Sequence, residues 1–99
     1  MERKTSASRG TKGFLVERYV PGITRAQLDG VEQRLRRAVR DLAGAGVEIR
    51  LVSSAFVPAE EVVLSFFVAS GKETVIEANA RSGAHVDRVQ PAELSSEED

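Results

Sequence analysis

The period at which apolar residues recur changes along this chain, and the order of those changes restricts the fold more than any other feature. Phe14, Val16 and Val20 alternate with Leu15, Glu17 and Tyr19, a strand pattern that Pro21-Gly22 stops. Thr24 is placed to cap a helix, and Gln27, three residues on, completes a capping box. Ile23 and Leu28 stand at the two positions of a hydrophobic staple around that cap. Leu28, Val31, Leu35, Ala38, Leu42 and Ala45 then recur at helical spacing, with Val39 widening the stripe and Gly44 and Gly46 as stops. Val47 to Val57 is rich in β-branched residues and alternates at first, Pro58-Ala59-Glu60 is a turn, and Val62 to Val68 is a second strand, apolar on both faces apart from Ser65. Ser70-Gly71-Lys72-Glu73 has the form of another capping box, opening a short helix that runs to Gly83. His85 to Gln90 forms a last strand before Pro91.

The order is β-α-β-β-α-β with a tight hairpin in the middle, the split β-α-β arrangement called ferredoxin-like, an α+β fold. Two helices pack on one face of a four-stranded antiparallel sheet, and the other face is left to water or to a partner. Charge divides the chain further. Residues 1–12 carry Arg3, Lys4, Arg9 and Lys12 against Glu2, while residues 91–99 carry Glu93, Glu97, Glu98 and Asp99. Neither end has periodic apolar residues, so a disordered basic arm (1–12) and a disordered acidic tail (91–99) are expected around a single domain at 13–90.

Several classes of function are excluded or disfavoured at once. With no cysteine in its 99 residues, the chain has no disulfide framework, thiolate metal site or thiol nucleophile. A single histidine, His85, means that chemistry needing two imidazoles requires a second subunit. A formal net charge of -1 gives no global field that attracts nucleic acid. Arg25, Arg34, Arg36, Arg37 and Arg40 make a solvated helix face, because interleaved aromatic residues are lacking and Phe66 and Phe67 point to opposite faces. The apolar run from Val62 to Ala69 is too short to span a bilayer, and the basic start lacks the apolar stretch of a secretory signal. A cytoplasmic protein that engages neither membrane nor nucleic acid is expected. No nucleophile elbow, phosphate loop, dinucleotide fingerprint or H-E-x-x-H motif occurs, so a binding role is favoured over catalysis.

The sheet's open face carries the functional expectation. If Val62, Leu64, Phe66 and Val68 lie under the helices, then Leu15, Tyr19, Val63 and Phe67 line the open face, more apolar surface than a monomer comfortably exposes. Sheet-to-sheet homodimerisation follows. Glu17 falls within that face and needs a cation, a metal or a raised pKa, with Arg50, Arg88, or a metal ion shared across a dimer axis as the candidate partners. Alternation places His85 and Asp87 on one face about 7 Å apart, a pair of ligands for a divalent metal such as Ni²⁺. Three readings result: a dimeric metal- or small-ligand-binding protein, a non-catalytic module for a protein partner, and a small cofactor-independent enzyme.

The runs Phe14-Leu-Val-Glu-Arg-Tyr19, Pro21-Gly22-Ile-Thr with Gln27-Leu28, Ser53-Ser54-Ala-Phe-Val57, Glu77-Ala-Asn-Ala-Arg-Ser-Gly83 and Val86-Asp-Arg-Val89 occur in an order and spacing with a known counterpart. Together they resemble a small bacterial family of ferredoxin-like proteins, described as nickel-binding or of unassigned function. The resemblance spans most of residues 14–92. It implies a ferredoxin-like homodimer with metal binding, and the Val16-Glu17-Arg18 match makes Glu17 the leading site residue. Ala55 stands where the family often has an aromatic, Ser65 or Phe66 where it has cysteine, and His85 where it commonly has proline. Loss of the thiol weakens a nickel site here, and the added imidazole of His85 is a candidate replacement.

Overall fold

A computed structural model describes residues 10–95. Six elements follow in order: β1 (Lys12–Tyr19), α1 (Arg25–Gly44), β2 (Ile49–Val57), β3 (Val62–Ala69), α2 (Lys72–Ser82) and β4 (Arg88–Pro91). The sheet order is β2-β3-β1-β4 with every neighbouring pair antiparallel. This is the ferredoxin-like α+β fold read from the periodicity. Among the described residues no helix is long and apolar enough to cross a membrane.

The first helix forms as its cap predicts. The Gln27 backbone N–H donates to Thr24 Oγ1 at 3.1 Å, and the Thr24 N–H donates to Gln27 Oε1 at 3.0 Å. Two otherwise orphaned donors at the helix start are thereby satisfied. Leu28, Leu35, Ala38, Val39 and Leu42 form its buried stripe. The second cap differs from expectation: α2 has Gly71 as its N-cap with no side-chain cap bond, and the Ser70 hydroxyl lies 3.4 Å from Thr74 Oγ1 instead. The capping box at Ser70–Glu73 therefore does not form. At the other end Gly83 closes α2 in a left-handed conformation, φ 74°, which costs glycine no Cβ clash.

Strand register corrects the expected face of β3. Phe14 pairs with Phe67, Val16 with Ser65 and Arg18 with Val63. Residues directly opposite in an antiparallel pair share a face, so Val63, Ser65 and Phe67 lie under the helices with Phe14 and Val16. Phe67 is 0% exposed and Val63 4%. Leu64 sits on the open face, and so do Val62, Phe66 and Val68. Leu15 and Tyr19 do stand on the open face, whereas Val63 and Phe67 do not. Because β3 is apolar on both sides, its own composition could not choose; a one-residue shift in phase moves the whole set. Ser65 is tolerated in the core because Ser54, opposite it, offers a hydroxyl at 2.9 Å. A bulge between Leu51 and Ser53 resets the phase of β2 so that Ser54 reaches that position.

The core comprises Phe14, Val16, Leu35, Val39, Leu42, Ile49, Leu51, Phe67, Ala69, Val75 and Ala78, joining both helices to the three longer strands. The domain edges lie slightly outside those expected. Lys12 opens β1, Pro91 ends β4, and the Ala92 N–H donates to the Gly13 carbonyl at 3.0 Å. Residue 13 must be glycine here: a Cβ would stand 2.3 Å from the Ala92 oxygen and 2.7 Å from Phe66 Cζ. The rest of the expected arm (1–9) and tail (96–99) lies outside the described residues. The last strand is shorter than expected. His85 and Asp87 belong to the connection before it, not to the ladder.

Candidate functional site

Glu17, on the open face of β1, is neighboured by β4, whose Arg88 pairs with it across the ladder. Arg88 Nη2 donates to Glu17 Oε2 at 3.0 Å, and Gln90 Nε2 donates to the same oxygen at 3.2 Å. Of the two arginines expected to compensate it, Arg88 does so. Arg50 sits on β2, separated from β1 by β3.

The α2–β4 connection folds back onto the end of β1. The Asp87 N–H donates to the Glu17 carbonyl at 2.9 Å, and the Tyr19 N–H donates to Asp87 Oδ2 at 2.6 Å. Asp87 Oδ1 lies 2.9 Å from His85 Nε2. His85 and Asp87 are thus in direct contact, closer than strand alternation would place them, and both are exposed. Among the described residues no group of three His, Asp or Glu side chains converges closely enough to hold a metal ion. Glu17 turns to Arg88 and Gln90, while His85 and Asp87 turn to one another.

Hydrogen bonding by the Tyr19 amide is the main reason the Asp87 carboxyl lies below its ordinary value; contact with His85 and the more distant Arg18 charge add to it. A carboxyl whose folded pKa is depressed stabilises the fold above the unfolded value of about 3.9, and that contribution is lost as pH falls through the folded value. In urea titrations, wild type should therefore exceed Asp87→Asn in stability at neutral pH, and the gap should close below about pH 4. A gap that is constant with pH would show that the Asp87 charge does not pin this connection.

One polar residue central to this region escaped sequence reasoning. Arg18 is 1% exposed, on the helix side of the sheet. Its Nη1 donates to the His85 carbonyl at 2.9 Å and its Nη2 to Asn79 Oδ1 at 2.8 Å. Asn79, itself buried in α2, donates to the Val75 carbonyl at 2.8 Å. Burial lowers the Arg18 pKa, opposed by the charges of Glu32 and Asp87. Arg18 Nε and Glu32 Oε2 are buried without a hydrogen bond, although Arg36 Nη2 makes an ion-pair contact with that Glu32 oxygen at 3.0 Å. The signal was available: Arg18 continues the phase of Phe14 and Val16, so alternation puts it among buried residues.

The remaining open face is mainly apolar. Leu15, Val62, Leu64 and Val68 are half-buried, Tyr19 is 53% exposed, and Phe66 is buried behind Gly13. Fold and site together describe a small ferredoxin-like α+β protein with one helix-covered face, one apolar open face, and a polar cluster where β1, α2 and β4 meet. A solved structure, that of SCO4226 from Streptomyces coelicolor A3(2), is similar with a TM-score of 0.69 and 21% sequence identity, covering 85% of this chain and 99% of that one. At that identity the likeness establishes the fold. No family model and no curated protein matches the chain.

Proposed function

We propose that this chain is a non-catalytic binding protein that works as a homodimer through the open face of its sheet. Glu17, His85 and Asp87 are the candidate ligands for a divalent cation such as nickel, or for a small ligand, and since the three do not converge within one chain they would be drawn from both copies. The half-buried apolar set Leu15, Val62, Leu64 and Val68, with Tyr19 exposed at its end, carries the reading. Covering it with a second copy removes apolar area from water, and a two-fold contact of this kind closes on itself. A single chain offers the cation His85 and Asp87 in contact, so further ligands would come from the second copy.

Light scattering tests the interface: the expected mass is twice 10.7 kDa, and Leu64→Glu should return it to one chain. A wild-type monomer would remove the homodimer. Calorimetric titration with Ni²⁺ tests the site, with saturable heat expected and its loss in His85→Ala. A dimer silent to nickel would leave a protein-interaction module, the reading favoured by the hydrogen bonds that already occupy Glu17 and Asp87.

A further inference from the structure

The two helices flank an open cavity of about 380 Å³ on the side of the molecule away from the open sheet face, lined by Ala38, Ser82 and the exposed residues Arg34, Arg37, Asp41 and Arg81. Three of the six are arginines in a chain whose formal net charge is -1, so the cavity concentrates positive charge that the whole molecule lacks.

How these arginines are occupied separates them from the rest of the helix surface. Arg25 faces Asp29 at 4.0 Å and Arg36 faces Glu32 at 3.0 Å, ordinary i,i+4 pairs. Arg81 is oriented by Glu77, which accepts from both its Nε (3.1 Å) and its Nη2 (3.0 Å). Arg34 is anchored differently: its Nε donates to the Ser82 carbonyl at 3.2 Å, which ties α1 to the end of α2, and no carboxylate among the described residues pairs with its guanidinium. Arg37 has no hydrogen-bond or ion-pair partner among the described residues. Two guanidiniums with no carboxylate partner among the described residues, both on α1, thus front one cavity together with Arg81, which Glu77 holds.

We infer that this cavity is a binding site for a phosphomonoester, with Arg37 and Arg34 as its principal donors and Arg81 flanking them. Guanidinium forks match phosphate oxygens bidentately and form stronger hydrogen bonds than neutral donors. A tetrahedral phosphate presents oxygens in several directions, as donors approaching from two helices require, whereas a carboxylate presents two in one plane. The volume exceeds that of a bare phosphate and lies within the range of small-molecule pockets, leaving room for an organic group over Ala38. Asp41 also lines the cavity, and its carboxylate repels an anion there.

Amide chemical shifts of the full chain, titrated with phenyl phosphate, test the site. Saturable shifts are expected at Ala38, Asp41 and Ser82, with binding tighter than that of inorganic phosphate or acetate. Arg37→Ala should weaken it roughly ten-fold, the loss of one charge-assisted hydrogen-bonded contact. Asp41→Asn should strengthen it about two-fold by removing an exposed like charge. Arg37 has no hydrogen-bond or ion-pair partner among the described residues, so its replacement should leave the urea midpoint unchanged, and a weakened titration then reports the ligand and not the fold. Shifts that fail to saturate, or that saturate in Arg37→Ala at the same phenyl phosphate concentration as in wild type, overturn the site. Acetate or inorganic phosphate binding as tightly as phenyl phosphate overturns the phosphomonoester.

Discussion

Arg18→Met should lower the unfolding free energy by about 3–5 kcal/mol, the cost of breaking a buried charged network by removing one partner. The apolar stem is kept, so lost packing is minor. What is lost is the donor pair that satisfies Asn79 Oδ1 and the His85 carbonyl, and the positive charge facing Glu32 and Asp87. Those acceptors then remain buried or half-buried with nothing in exchange. A urea denaturation of the variant gives the value directly. The companion Arg18→Met/Asn79→Leu should lose less than the two single changes summed, because it removes donor and acceptor together. A loss below about 1 kcal/mol for Arg18→Met would mean that the network is dispensable. The polar cluster would then owe its position to the backbone alone.

Phe67→Ala should cost about 3–5 kcal/mol, and Leu64→Ala about 1 kcal/mol, in the same denaturation experiment. Phe67 has no exposed surface and packs in the cluster with Phe14, Leu35 and Val75, so its truncation opens a cavity beneath the helices. Leu64 is half-buried on the opposite face, and its truncation should register mainly in self-association under the proposed dimer. The reverse order of losses would mean that β3 presents its other face to the helices.

The two predictions mark where sequence reasoning stops. Phe14 and Val16 declare the buried face of β1 because Glu17 and Tyr19 occupy the other. Val62 to Val68 makes no such declaration, and the choice was settled by pairing with β1, where Phe67 opposes Phe14. The same pairing placed Ser65 inside the core, a position its side chain alone would argue against; Ser54 supplies the compensating hydroxyl only because a bulge shifts β2 by one residue. Near the candidate site, the need of Glu17 for a cation was legible, since a carboxylate on an apolar face requires one. That Arg88 supplies it and Arg50 does not follows from strand order, in which β4 neighbours β1 and β2 does not.

His85 and Asp87 show the opposite case. Their spacing suggested two strand residues side by side, yet they occupy a connection bent back on itself. Arg18 takes the His85 carbonyl, and the Tyr19 amide takes an Asp87 oxygen, a bond that a ladder position would have spent on the neighbouring strand. The second capping box failed for a comparable reason: Gly71, which has no side chain to accept a bond, became the N-cap.

What the amino-acid order determined alone is local: the Thr24–Gln27 cap, the buried stripe of α1, the glycine stops, and the succession of periods that points to a split β-α-β sheet. These depend on neighbours within four residues along the chain, where spacing and side-chain chemistry suffice. Tertiary structure alone decided which face of β3 is core, which arginine neutralises Glu17, and that the buried Arg18 bonds to Asn79 and the His85 carbonyl. Each depends on partners more than forty residues distant, and register and strand order, not local pattern, bring them within reach.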